Sequence, residues 1–226
     1  MKPDYTEAYV NRGALFQDEN KIEEGLNDFN KAIKLKPDLA LAYVYRGILL
    51  TYEKKNKLAE DDYSKAIELS PDLTEAYYNR GNLFWDEKRF DEAIKDYTKA
   101  IELKPDFIEA YVNRGALLRD ENKIEEALKD FNKAIELKPD FAIAYLNRGI
   151  LFMNQKRYDE AISDFSNAIE LNAGYARAYY YRGLAEYYSG KKDIACRDLK
   201  QAASLGYQPA EDALFQFCKE PVFSIE

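Results

Sequence analysis

Six arginines recur at intervals of 34 residues, and each is followed 16 residues later by an aspartate. These residues are Arg12, Arg46, Arg80, Arg114, Arg148 and Arg182, with Asp28, Asp62, Asp96, Asp130, Asp164 and Asp198. The guanidinium groups in such a row either bind an acidic ligand or form ion pairs with the aspartate carboxylates. In an antiparallel helical hairpin with its turn midway between them, the two groups lie at the same height. We therefore favour structural ion pairs, within a repeat or to its neighbour.

The residue before each arginine is an asparagine in four cases and a tyrosine in two. These residues are Asn11, Tyr45, Asn79, Asn113, Asn147 and Tyr181. A primary amide has donors and an acceptor, so a row of asparagines can bond the backbone of an extended peptide whatever its sequence. The alternative is that these amides are only solvated, and the sequence leaves both interpretations open.

The composition of the chain excludes most kinds of catalytic site. The chain of 226 residues has no histidine, which excludes histidine acid–base catalysis and histidine metal ligands. Its two cysteines, Cys196 and Cys218, are too few for a four-thiolate zinc site, and we expect two reduced thiols. A formal charge of −8 argues against nucleic-acid binding. We predict no enzyme activity, no cofactor and no metal.

The string Ala-Tyr-X-X-Arg-Gly marks six repeats of 34 residues without insertion or deletion. With Thr6 as position 1, the repeats cover 6–39, 40–73, 74–107, 108–141, 142–175 and 176–209. Pro-Asp pairs such as Pro71-Asp72 end one helix, and we expect the aspartate to cap the next. Each repeat then has a helix A over about positions 1–14 and a helix B over about positions 17–30. In the second repeat, where Asn56 replaces an apolar residue, we expect a longer helix A and a different turn.

The repeats resemble the tetratricopeptide repeat (TPR) family. Repeat 3 shows the family pattern in full, with Tyr77, Gly81, Phe84, Ala93, Tyr97, Ala100 and Pro105. The resemblance implies an all-α fold, a right-handed α-solenoid or superhelix of six helix-turn-helix repeats whose helices A line the concave face. Residues 210–220 have one apolar face, which predicts a C-terminal capping helix, followed by a tail over 221–226.

Positions 2, 6, 9 and 13 of helix A form one stripe, because successive residues turn by about 100° around a helix. Positions 4, 8 and 11 carry the packing signature and point away, so the stripe is the predicted peptide-binding surface, with positions 5 and 12 on its flanks. Besides the residues at position 6, it offers carboxylates and aromatic anchors. These further candidates are Tyr78, Trp85, Asp86, Asp120 and Tyr188. The aromatic residues can equally be half-buried packing residues.

We predict a non-enzymatic protein-interaction scaffold that binds a protein or peptide segment in the concave groove. Because the stripe is mainly acidic, we expect a net basic ligand with an aromatic or apolar anchor. One alternative is a substrate-recruiting or regulatory arm of a larger enzyme, since Lys2-Pro3-Asp4 reproduces the end of a repeat as though cut from a longer array. Another is a self-assembling structural protein joined end to end. We expect no membrane or nucleic-acid partner and a cytoplasmic location, unless an upstream signal has been removed.

Overall fold

The computed structural model describes residues 5–218, which contain thirteen α-helices and no strand. The helices are α1 (Thr6–Asp18), α2 (Ile22–Leu35), α3 (Ala40–Tyr52), α4 (Asn56–Leu69), α5 (Thr74–Asp86), α6 (Phe90–Leu103), α7 (Ile108–Asp120), α8 (Ile124–Leu137), α9 (Ala142–Asn154), α10 (Tyr158–Leu171), α11 (Ala176–Tyr188), α12 (Lys192–Ser204) and α13 (Pro209–Phe217). Odd-numbered helices up to α11 are helices A, and even-numbered helices are helices B. The all-α repeat architecture predicted from the sequence is confirmed.

The turn inside each repeat has one left-handed residue, always at position 15. Asn20, Lys54, Lys88, Asn122 and Lys156 have φ between 57° and 61°, and Gly190 has φ of 86°. A left-handed residue after the last helical turn is a common way to end an α-helix. The second repeat has this same turn and a helix A of the same length, so the prediction of a longer helix there is wrong. Asn56 is still the first residue of its helix B, and therefore the boundary does not move.

The aspartate caps predicted for α3, α5 and α9 are also wrong. The residue before α5 is Leu73, and no side chain caps the helix. Asp72 lies one residue too early and accepts a hydrogen bond of 2.7 Å from Ser70 Oγ. Leu73 instead packs against the apolar core of the second repeat, so this position contributes burial rather than a polar cap. Asp4, the first of the predicted caps, lies outside the described residues.

Glycine at position 8 lets helix A approach the aromatic residue at position 24 of its own helix B. Phe29, Tyr63, Tyr97, Phe131 and Phe165 occupy position 24, and all are buried. A Cβ atom built on Gly149 would lie 2.6 Å from the ring of Phe165, closer than any side chain tolerates. The repeated glycine is therefore a requirement of helix packing within each repeat.

The described chain forms two compact units, which divide between Ala110 and Tyr111 in the first turn of α7. In unit one, residues 5–110, α1 to α5 pack each on the next, α5 packs on α6, and α1 with α3 and α3 with α5 also meet. In unit two, residues 111–218, α8 to α13 pack in the same sequential manner, and α9 meets α11. No helix in the described part of the chain is long and apolar enough to cross a membrane.

A disulfide joins Cys196 on α12 to Cys218 at the end of α13, with Cα atoms 5.6 Å apart. The prediction of two reduced thiols is therefore wrong. Helix α13 lies against α12, with Ala210 and Ala213 buried. This packing brings Cys218, the residue after α13, close to Cys196. The predicted tail over 221–226 lies outside the described residues.

Candidate functional site

Each repeated arginine binds the aspartate of its own repeat through two hydrogen bonds, from Nε and Nη2. The donor–acceptor distances are 2.5–3.0 Å. The aspartate side chains are only 2–9% exposed. At Asp28 the hydrogen bonds from Arg12 lower the pKa of the carboxyl group. This geometry leaves the arginines engaged inside the repeat rather than directed at a ligand.

The third guanidinium nitrogen links neighbouring repeats. Nη1 of Arg46 donates to Asn30 at 2.7 Å, and Nη1 of Arg148 donates to Asn132 at 2.6 Å. Arg80 and Arg182 make the same bond to serine, at 3.0 and 3.1 Å. All four acceptors lie at position 25 of the preceding helix B. Each of these four arginines therefore connects its own helix A to the helix B of its own repeat and to the helix B of the preceding repeat.

We call positions 2, 6, 9 and 13 of the helices A the helix-A face, and treat it separately in each unit. In unit one, Asn11 is exposed, whereas Asn79 is half-buried and donates from Nδ2 to the backbone oxygen of Glu75 at 2.8 Å. Its Oδ1 has no hydrogen-bond partner among the described residues. Tyr45 stacks on Phe29 of the preceding helix B with ring centroids 5.7 Å apart. The tyrosine at this position is therefore partly a packing residue.

A cavity of about 300 Å³ opens between α3 and α5 of unit one. Its apolar surface comes from Ile48, Tyr52, Tyr63 and Leu83, and its polar surface from Thr51, Lys54, Asn79, Asn82 and Asp86. Tyr52 is 67% exposed at the rim. Burial raises the pKa of Tyr63 to about 12, so this hydroxyl stays neutral, 3.2 Å from Thr51 Oγ1. The arrangement suits an apolar side chain whose neighbours make polar contacts.

The aromatic residues on the flank of the third repeat mainly support packing. Tyr78 lies 4.7 Å from Phe107 and 5.9 Å from Tyr97, measured between ring centroids. Trp85 contacts the same Tyr97 edge-on at 6.4 Å. Both are half-buried. Of the candidate residues in this repeat, Asn79 and Asp86 line the cavity, while Tyr78 and Trp85 do not.

In unit two the helix-A face is more occupied by internal bonds. Asn147 donates to the backbone oxygen of Ile143 at 3.0 Å and accepts from Arg119 Nη1 at 3.0 Å. Asn113 is half-buried on α7. Arg119 also pairs with Asp120, so that carboxylate is partly neutralised. The amide of Asn147 therefore has less capacity for a ligand than that of Asn79.

The end of unit two carries an aromatic cluster. Tyr188 is 52% exposed and stacks on Tyr158 at 5.8 Å, with Phe217 of α13 nearby at 6.4 Å. Tyr181 stacks on Phe165 at 5.9 Å, as Tyr45 does on its own neighbour. Tyr188 is thus an exposed aromatic surface, and Tyr181 is a half-buried packing residue.

Sequence reasoning missed two features of these surfaces. The first is the set of cavity residues Ile48, Thr51, Asn82 and Leu83, which were not named as candidates. Ile48 and Asn82 lie at position 9 of the predicted stripe, and Asn82 is a polar residue where the other repeats have alanine, isoleucine or leucine. The second is Glu186, which stands where the other repeats have phenylalanine or leucine.

Glu186 is 5% exposed, and its Oε2 has no hydrogen-bond partner among the described residues. Burial, and next the negative charge of Asp198, raise the pKa of Glu186 to about 7. Arg182, Lys191 and Arg197 act in the opposite direction. Within residues 5–218 no three acidic or cysteine side chains form a group that could hold a metal ion.

Solved structures with the same architecture are numerous. The crystal structure of YrrB, described as a TPR protein with an unusual peptide-binding site, is 27% identical with a TM-score of 0.66, over 82% of this chain and 96% of that chain. A crystal structure of MamA is 25% identical with a TM-score of 0.65, and the match covers 73% of this chain and 96% of that chain. Pseudomonas aeruginosa pilF is 20% identical with a TM-score of 0.82 and shares the fold, with a match that covers 93% of this chain and 98% of that chain. Among curated proteins no sequence relative matches.

The stacked helix pairs and their helix-A faces define a helical-repeat scaffold for protein interaction. A family model described as tetratricopeptide repeat matches residues 74–107 and 142–175, and a TPR repeat model matches 49–87 and 115–156. Further tetratricopeptide repeat models match 96–129 and 6–39. The chain belongs to the tetratricopeptide repeat family.

Proposed function

We propose that the helix-A face of unit one binds an extended peptide segment of a partner protein, with an apolar or aromatic side chain in the cavity between α3 and α5. The cavity is the observation that carries this proposal. It combines an apolar floor, an exposed aromatic rim at Tyr52 and two amides within one volume of about 300 Å³. Such a combination is typical of sites that take one anchoring side chain and orient its backbone.

The charge of this face favours a basic ligand. Glu7, Glu75 and Asp86 are exposed, and none of them forms an ion pair within the described residues. Lys54 is the cation that lines the cavity. Carboxylates along a recessed surface attract opposite charge and speed association with a basic partner. We therefore expect lysine or arginine on both sides of the anchor.

The amide of Asn79 supplies hydrogen bonds that do not depend on the ligand's sequence, whereas Oδ1 of Asn82 already accepts from the Tyr97 hydroxyl at 2.7 Å. Oδ1 of Asn79 can accept from a peptide N–H, and one N–H of Nδ2 remains after its bond to Glu75. Each such bond contributes about 0.5–1.5 kcal/mol net. Specificity then comes from the anchor and the flanking charges. In unit two, Tyr188 offers a second aromatic contact for a partner, independent of this cavity.

The test is selection from a library of random peptides displayed on phage, with the whole chain as bait. We expect enrichment of peptides with lysine or arginine around a large apolar residue. Selected peptides are then titrated against Tyr52→Ala, Asp86→Lys and Asp91→Lys. Asp91 is exposed on helix B of the same repeat, so Asp91→Lys makes the same charge change away from the cavity.

We expect Tyr52→Ala and Asp86→Lys each to weaken binding about tenfold or more, with Asp91→Lys close to wild type. Enrichment of acidic peptides, or equal effects of Asp86→Lys and Asp91→Lys, would contradict the proposal.

A further inference from the structure

A second cavity of unit one, of about 460 Å³, lies among α2, α3 and α4. Leu26, Leu50 and Leu58 supply its apolar surface, and Leu58 is 54% exposed at the rim. Its lining residues differ from those of the cavity between α3 and α5. Its volume lies within the range that ligand pockets usually have, and we call it the helix-B groove. It is therefore separate from the site of the proposed function.

The third repeat, in the same unit, fills the corresponding position with its own side chains. Phe84 stands where the second repeat has Leu50, and the guanidinium carbon of Arg89 lies 4.0 Å from the centroid of its ring. Arg89 also donates to the carboxylates of Glu60 and Glu92, at 2.6–3.1 Å. An arginine and two glutamates thus cover a buried aromatic ring.

The second repeat lacks these covering groups. Leu26 and Leu58 stand at the positions of the two glutamates. Lys55 stands at the position of the arginine, and its ammonium group pairs with Glu53 at 2.6 Å. With Leu50 in place of the ring, the second repeat has an open apolar groove where the third has a closed, charged cluster.

Arg46 has one aromatic neighbour fewer than the repeated arginines that have a phenylalanine four residues later. The guanidinium carbon of Arg80 lies 5.9 Å from the ring of Tyr77 and 5.6 Å from that of Phe84. The arginines of the first and fifth repeats make the same two contacts. Arg46 lies 5.5 Å from Tyr43, and no second ring meets it among the described residues. Because a guanidinium attracts the face of an aromatic ring, the groove offers a cation with room for one more ring.

We propose that the helix-B groove binds an aromatic side chain from a segment of a partner protein. The ring lies against the three leucines, with the guanidinium of Arg46 beside it. Arg46 and Lys55 disfavour a basic side chain in the groove, and Asp61 and Asp62 disfavour an acidic one, so a neutral ring is the best complement. Oδ1 of Asn30 already accepts from Arg46, and its Nδ2 is the donor for a backbone oxygen of the segment.

The probe is the capped tripeptide acetyl-Ala-Phe-Ala-amide, and its controls have leucine or alanine in place of phenylalanine. Leucine methyl resonances of the whole chain are recorded by NMR during titration. We expect saturable shifts at Leu26, Leu50 and Leu58, with a dissociation constant in the millimolar range because one side chain supplies most of the contact. The leucine probe is expected to bind about fivefold more weakly or worse, since it offers no ring to Arg46.

Leu50→Phe supplies the ring from the chain itself, as in the third repeat. It is expected to weaken binding of the probe about tenfold or more without lowering the melting temperature. Leu58→Glu, at the exposed rim, is expected to weaken binding as much, and it keeps the test valid if Leu50→Phe misfolds.

Leu171→Glu is the matched control, since Leu171 is an exposed leucine at the end of α10. It is expected to bind the probe like wild type, and so is Asp86→Lys in the cavity between α3 and α5, which separates this proposal from the proposed function. No saturable shift at the three leucines, equal affinity for the leucine probe, or unchanged binding by folded Leu50→Phe or by Leu58→Glu would overturn the proposal.

Two further results would assign the groove to another occupant and overturn the proposal as well. Equal affinity for phenylacetamide, which has the ring without the flanking peptide groups, would indicate a small aromatic molecule. A wild-type dimer in sedimentation that Leu58→Glu dissociates would indicate a second copy of the chain.

Discussion

The guanidinium group of Arg148 donates two hydrogen bonds of 2.8 Å to the carboxylate of Asp164, and its remaining nitrogen donates to Asn132 of the preceding helix B. Asp164 is buried, while the arginine side chain is about one-fifth exposed. The ring of Tyr145 lies 5.7 Å from the guanidinium carbon. One arginine therefore connects three helices in each repeat of this kind.

Arg148→Met is expected to reduce the free energy of unfolding by about 3–5 kcal/mol, because Asp164 would keep its burial and lose its counter-charge. The measurement is chemical denaturation followed by circular dichroism. The double variant Arg148→Met with Asp164→Leu is expected to recover most of the loss, since it removes both charges. Arg177→Met, on the exposed surface of α11, serves as the control and is expected to change stability by less than about 0.5 kcal/mol. Equal stability of Arg148→Met and wild type would show that these pairs contribute little.

Repeat periodicity predicted the fold closely because a local pattern decides it. The helix-B range from Ile22 to Leu35 follows from the spacing of its apolar residues and from the turn before it. The antiparallel register likewise favoured pairs between the arginines and the aspartates, but it left open whether each partner lies in the same repeat or in the neighbouring one. Asp72 shows the limit of such reasoning, because which of two adjacent loop residues precedes a helix depends on Leu73 reaching the core.

The candidate surface was less predictable, because its chemistry depends on contacts between repeats. Asn79 and Asn147 are the same residue at the same position, yet only Asn147 accepts a hydrogen bond from Arg119. Tyr45 belongs to the exposed stripe by helical angle but stacks on Phe29 of another helix. Pairings of this kind depend on how neighbouring repeats pack against each other, and the spacing of residues along the chain does not specify that packing.

The disulfide between Cys196 and Cys218 is expected to stabilise the end of unit two. It closes a loop with a sequence separation of 22 residues, for which loss of chain entropy in the unfolded state predicts about 3 kcal/mol. Cys196→Ser with Cys218→Ser is therefore expected to increase hydrogen exchange in α13, with α3 to α5 unchanged as the internal control. A count of two free thiols in the native, unreduced protein would contradict this pairing. Disulfides persist in oxidising compartments, so the bond does not favour the expected cytoplasmic location.

Glu186 is expected to make stability depend on pH between about 4.5 and 7. Burial raises its pKa to about 7 in the folded chain, so the folded state holds this proton at pH values where the unfolded state has lost it. Its contribution is complete below the unfolded pKa and is lost as pH rises to 7 and above. One pKa unit corresponds to about 1.4 kcal/mol, so we expect a loss of about 1–3 kcal/mol across this range.

Melting curves at pH 5 and pH 8 measure this effect. The neutral amide of Glu186→Gln removes the titration, so the variant is expected to lose less stability than wild type between the two values. Glu211→Gln, an exposed glutamate in the first turn of α13, is the matched control. Parallel pH profiles for Glu186→Gln and wild type would show that this carboxyl group does not titrate in the expected range.

NMR can detect whether a basic segment with an apolar anchor binds between α3 and α5. Backbone amide resonances of the whole chain are recorded during titration with a peptide selected on it. We expect saturating shifts concentrated at residues 48–52 and 79–86, and no response of these residues when the peptide's lysines and arginines are replaced by glutamate. Shifts confined to the helices B would contradict the proposed function.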